Sequence, residues 1–419
     1  MVTTARSRVT SLFALIAVVG LLAASCSDDG GDDAATDTTA AAAEDGATTT
    51  TVAADGEAPS DSPAASLRSN LVGLLEEQVY LIGFTVQATV DEGVGSDLAT
   101  ASEQESSASA TELSNLIGGG YGVAAGNDFL AAWNDHREAI LAYGTTDGPV
   151  EAIASTRQAV LDTLAEIDAS AAFTGVGDAL EESDTALITT VDELVAGEPA
   201  AAADLRAAAA PMPGVALDLA TAIATEVAVD GEVDSPESAL RAELTGLLQE
   251  SALLTGLALA ETVAADGNSD APGPAGVLAA VEENTRALAD AMEPDDEAAA
   301  DEFADLWAGH IDTFEAYATA LVADDAAGLT AARESLIAFR DDLGALLAER
   351  YPAFTQQQVA EELVGHTDSI LSFVDALVTE DVNEAPARLR EAAEVMRLTA
   401  RTLTGGLLAP VAEDEPAEE

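Results

Sequence analysis

Three histidines are the residues whose chemistry is most open in this sequence. His310 stands at helical spacing from Trp307 and Phe314, and His366 at helical spacing from Leu363 and Ile370, so each imidazole falls on an apolar helix face. Two inward histidines on different helices of one bundle commonly hold haem or a metal ion, because neutral imidazole is a good ligand in a dry interior. The same spacing suits a hydrogen-bonded core histidine packed on an aromatic ring, which is the expected role. A structural metal site needs three or four ligands, and Glu250 and Glu282 are the carboxylates available as guesses. No histidine follows the Glu-x-x spacing of dinuclear carboxylate sites. No cofactor is therefore expected, and the alternative is haem or metal at His310, His366 and His136.

Aromatics form the second set. Phe129, Trp133 and Tyr143, and again Phe303, Trp307 and Tyr317, would line an apolar ligand pocket, with Trp133, Tyr143, Trp307 and Tyr317 as its candidates. Their three-to-four spacing is that of core anchors, the expected role in a chain with only 4% aromatics. Arg388, Arg390, Arg397 and Arg401 crowd one helix and would bind a carboxylate or phosphate; neutralising acidic neighbours is the better account of them. Surface pairs of that kind contribute about 0 to 1 kcal/mol each. Asp295-Asp296-Glu297 and Asp324-Asp325 invite a calcium reading, but no twelve-residue loop with alternating oxygen ligands and a central glycine surrounds them. The sequence has no Gly-x-Ser-x-Gly elbow, P-loop, His-Glu-x-x-His or dinucleotide turn, so no enzymatic activity is expected.

The elements that would position these residues follow from an internal repeat. Asp61-Ser62-Pro63 returns as Asp234-Ser235-Pro236, and Leu71, Leu75, Glu77, Leu81 and Gly83 return as Leu244, Leu248, Glu250, Leu254 and Gly256, all 173 positions later. Phe129, Trp133, His136 and Tyr143 return 174 positions later as Phe303, Trp307, His310 and Tyr317. Val191-Asp192 and Leu205-Arg206 match Val374-Asp375 and Leu389-Arg390, while Ser183 stands where the second half has His366. Alanine is abundant, strand-like alternation is missing, and apolar positions step by three and four, which predicts helix throughout. Breaks at Asp91 to Asp97, Gly118 to Gly120, Thr145 to Pro149, Thr174 to Gly177 and Gly197 to Pro199 divide the first half. The second divides at Asp266 to Pro274, Glu293 to Asp296, Asp324-Asp325, Tyr351-Pro352 and Glu380 to Asn383. The expected fold is all-α, a tandem duplication of an antiparallel bundle of about six helices, spanning 61–230 and 234–409. The helix order, with Trp and His in the third helix and His in the fifth, resembles a loosely characterised family of secreted bacterial helical proteins. Those proteins also carry a histidine in the first helix, where Leu74 and Leu247 stand here.

Composition sets the address and the partners. Of 419 residues, 77 are acidic and 15 basic, giving a net charge of -62, and every basic residue is arginine. Such a field repels nucleic acid and anionic bilayers, and suits cationic partners or a salty milieu. Arg6 and Arg8 precede an uncharged apolar run, Leu12 to Ala24, which ends at the only cysteine. Leu22-Ala23-Ala24-Ser25-Cys26 resembles the lipobox of bacterial lipoproteins, which implies removal of residues 1–25 and lipidation of Cys26. Residues 26–60, rich in Asp, Ala and Thr, read as a solvated tether, and 410–419 as an acidic tail. The expected role is noncatalytic: a membrane-anchored binding, scaffold or envelope-associated lipoprotein on the outer face of the cytoplasmic membrane. Its partners would be the membrane, through the lipid on Cys26, and a protein or cell-envelope component. The alternatives are the haem or metal carrier and an extracytoplasmic sensor or solute-binding component.

Overall fold

The first helix, α1 (Pro63–Glu92), begins where its sequence says it should: Ser62 caps it by accepting from the Ala65 amide, and Pro63 occupies its first turn. Its counterpart α8 (Pro236–Ala264) begins with the same device, Ser235 accepting from Ser238. The computed structural model describes residues 59–409 apart from positions 147, 172, 200 and 380. The expected signal peptide, Cys26, most of the tether and the acidic tail lie outside the described residues.

Among the described residues every regular element is a helix. After α1 come α2 (Asp97–Tyr121), α3 (Val123–Thr146), α4 (Val150–Ile167), α5 (Thr174–Ala196), α6 (Ala201–Ala209) and α7 (Met212–Val227). After α8 come α9 (Pro272–Met292), α10 (Glu297–Val322), α11 (Ala326–Arg350), α12 (Gln356–Val378) and α13 (Ala385–Leu407). Short connections fold successive helices back on one another. Asp296 and Asp325, from the acidic runs that suggest calcium, instead cap α10 and α11 by accepting from Ala299 and Ala327.

Two expected breaks shift. Helix α2 continues through Gly118 to Gly120 and turns only at Gly122, whose φ of 93° is left-handed. Gly118 instead faces Gly126 of α3, where a Cβ would stand 2.7 Å from the Ser114 carbonyl of α2, and Gly120 faces Ile223 of α7. Thr174 to Gly177 lies in the first turns of α5, and the break falls just before it. A further interruption at Ala210-Pro211 splits the last helix of the first half into α6 and α7. The stretch Ala201–Val227 is long and apolar enough to cross a membrane by composition; 50% of its window is buried in the fold.

Helices α1 and α8 form the centre. Every residue from Leu71 to Val86 is buried, and so is most of Leu248 to Leu259, because apolar residues ring both helices except at a few glutamates and glutamines. They pack on each other, α2 and α7 cover α1, and α9 and α13 cover α8. A single apolar core therefore runs through both halves, where length alone suggests two separate cores.

Candidate functional site

The residues singled out by type and spacing fall at three places: a histidine site in each half, and a polar seam between α1 and α8.

In the first half Phe129 stacks on Trp133, with ring centroids 5.6 Å apart and planes at 21°. The Trp133 indole N–H donates to Gln78 of α1 at 3.3 Å. One turn on, His136 is 4% exposed, with Nδ1 3.2 Å from the Thr156 hydroxyl and Nε2 3.0 Å from Asp184. Asp184 also takes Arg157 at 2.6 Å, so one buried carboxylate joins α3, α4 and α5 through a histidine and an arginine. Beside them Trp133, His136, Ser183 and Asp184 line a cavity of about 20 Å³, the size of one water.

The second half repeats the frame. Phe303 stacks on Trp307 at 5.6 Å and 14°, and the Trp307 indole donates to Ser251 of α8 at 3.1 Å. His310, however, meets rings: its imidazole lies 4.3 Å from Phe339 at 13°, with Trp307 and Phe314 against its edges. His366 comes from α12, its centroid 6.5 Å from that of His310. His310 Nδ1 bonds the Trp307 carbonyl and His366 Nδ1 the Ala392 carbonyl, so in each ring Nδ1 carries the proton and Nε2 the lone pair. Burial, then the neighbouring His366, pushes the His310 pKa down to about 3. Burial pushes that of His366 down to about 4. Both rings are neutral at physiological pH.

Of the three histidines taken together as candidate ligands, the fold brings His310 and His366 side by side and leaves His136 apart. Glu250 joins the seam, and Glu282 is an exposed partner of Arg286. Among the described residues no three or more His, Cys, Asp or Glu side chains stand together as a metal would require. The aromatic candidates do not converge on one pocket. Trp133 and Trp307 are buried in separate halves, and Tyr143 and Tyr317 each turn the hydroxyl to a carboxylate, Asp192 and Asp375, at 2.7 Å.

The seam is built by exchange. Arg68 donates to the Val233 carbonyl at 3.1 Å and pairs with Asp234 at 3.3 Å. Arg241, 173 positions on, donates to the Ser60 carbonyl at 2.8 Å and stands 3.8 Å from Asp61. Arg390 of the second half binds Glu77 of the first at 2.5 Å, and Arg206 of the first binds Glu250 of the second at 3.0 Å. Gly73 makes room for Gln249, and Gly246 for Glu76. Each residue meets the partner of its counterpart, as at a two-fold interface within one chain. Because chain starts meet and Tyr80 reaches Glu250, α1 and α8 run side by side in the same direction. Burial raises the Glu77 carboxyl pKa and Arg390 opposes the rise. Glu76 is buried with Oε2 unpartnered, and burial, then Glu250, raises its pKa well above the usual carboxylate range.

Sequence reasoning placed Arg390 among surface neutralisers. The signal that could have found the seam was present in the repeat itself, which returns Glu77 as Glu250 and Arg206 as Arg390. Comparison with protein family models, with curated proteins and with solved structures returns no match.

Proposed function

We propose that this chain is a lipid-anchored extracytoplasmic protein whose helical body has a noncatalytic binding or scaffold role. One observation carries the reading: an uncharged run from Leu12 to Ala24 ends at the only cysteine and is followed by an acidic, Thr-rich stretch without a core-forming pattern. The body supports it. Reciprocal ion pairs lock the two halves of a tandem repeat, and the net charge of -62 favours cationic partners over nucleic acid. In this reading the repeat is a gene duplication, and the tether holds the body off the membrane.

Labelling with a fatty-acid analogue, followed by membrane fractionation, tests the anchor. The chain should take up label and sediment with membranes, and Cys26→Ser should lose both. Unlabelled protein that keeps residues 1–25 would overturn the proposal.

The adjacency of His310 and His366 favours a second reading, a haem or metal carrier. It requires near-stoichiometric metal or a strong visible absorbance that disappears in His310→Ala.

A further inference from the structure

A cleft of about 420 Å³ opens between the halves near the carboxyl ends of α1 and α8. The first half contributes Gly83, Thr190 and Leu205 to it, and the second Leu257, Glu261 and Val277. The volume is that of a small-molecule site, and such sites favour interfaces between structural units.

The repeat supplies an internal control. At the positions matching Leu257 and Thr190 the chain carries Phe84 and Phe373, offset by the same 173 and 183 residues as their neighbours. Those two rings are 3% and 0% exposed and meet at 6.1 Å, filling the corresponding place on the other side of the seam. Glu261 likewise matches Ala88, which is buried. Leu205 over Gly83 and Leu389 over Gly256 remain common to both sides. The same frame is thus filled by two phenylalanines on one side. On the other, smaller residues leave it open and a carboxylate is added.

The charge of the cleft is one-sided. Asp91, Glu198 and Glu261 line it, with no arginine or histidine among the lining residues. Glu261 is partly buried, and burial together with Asp91 raises its pKa, so a cation beside it would relieve both effects. Leu205, Leu257 and Val277 offer an apolar wall.

We infer that this cleft binds a small organic cation with an apolar body, the body lying on Leu205, Leu257 and Val277 and the charged end meeting Glu261. This deepens the binding role proposed above and rests on it. The anchor stands or falls separately, by the lipid label on Cys26.

Calorimetric titration of the full-length chain with 4-phenylbutylammonium, and with 4-phenylbutanol as its neutral analogue, tests the inference. The cation should bind saturably at one site, and the alcohol about tenfold more weakly or worse. Glu261→Gln should weaken the cation about tenfold and bring it level with the alcohol. Thr190→Phe combined with Leu257→Phe, which copies the filled side, should abolish both. If that double variant does not fold, Glu261→Gln decides alone. No saturable binding of the cation, or binding that both sets of substitutions leave unchanged, would overturn the inference and assign any attraction to the acidic surface at large.

Discussion

The two histidine sites stand on matching stretches of sequence, share a local arrangement of side chains, and differ in what meets the imidazole. Both carry a phenylalanine stacked on tryptophan at 5.6 Å, a tryptophan N–H anchored on the central helix, and a tyrosine bonded to an aspartate. In the first half His136 is met by Asp184, itself shared with Arg157. In the second, Ser183-Asp184 is replaced by His366-Thr367, and His310 is wrapped in Phe339, Trp307 and Phe314. Asp184 on the fifth helix of the first half and Phe339 on the fourth helix of the second thus mark the difference between a charged network and an aromatic box. A buried charge network is strongly coupled, since removing one member strands the others. An aromatic box instead keeps its imidazoles neutral by excluding water.

The largest difference should therefore come from Asp184→Ala. It leaves the half-buried Arg157 only the exposed Glu181 and takes the carboxylate from His136 Nε2, and should cost about 3 kcal/mol in denaturant unfolding. The matching Thr367→Ala, whose hydroxyl only bonds back to Leu363 on its own helix, should cost less than about 1 kcal/mol. Similar losses at both positions would erase the distinction.

Acid should act through the aromatic box. His310 and His366 stay neutral in the fold down to about 3 and about 4, whereas the unfolded chain takes up protons near pH 6.5. Their neutral burial is fully supported above that pH, and stability falls as pH drops from 6.5 toward the folded values. Each contributes a slope of up to about 1.4 kcal/mol per pH unit in that window. His310→Leu should remove about 2 kcal/mol of the loss between pH 7 and pH 5. Unchanged pH dependence would show that His310 is hydrated in solution.

The shared frame makes a prediction of equality. Phe129→Leu and Phe303→Leu, both 1% exposed before substitution, should each cost about 1 to 2 kcal/mol, and the two values should agree closely. Smallest is the tyrosine pair. Tyr317→Phe, at a hydroxyl that also receives Arg333, should cost about 1 kcal/mol, and Tyr143→Phe, at an exposed bond, less than about 0.5 kcal/mol.

Much of this fold was legible because helices announce themselves locally. Ser62-Pro63 and Ser235-Pro236 mark two starts, Thr355 marks a third by capping Gln358, and the acid pairs mark loops. Gly118 to Gly120 misled, because Gly118 faces α3 and Gly120 faces Ile223 of α7, and neither makes a turn. The histidine site was half legible. Spacing put His310 and His366 on inward faces, but Phe339 and Asp184 arrive from other helices, and no local period encodes such a meeting. The seam was the least legible part. Glu77 sits in a run of leucines with no mark of its distant partner, Arg390, although both recur in the repeat as Glu250 and Arg206.

The central claim is that exchanged contacts across α1 and α8 make the two halves one cooperative body. Differential scanning calorimetry of the full-length chain tests it most directly. The account predicts a single transition whose calorimetric and van't Hoff enthalpies agree. Two separable transitions, one for each half, would contradict it.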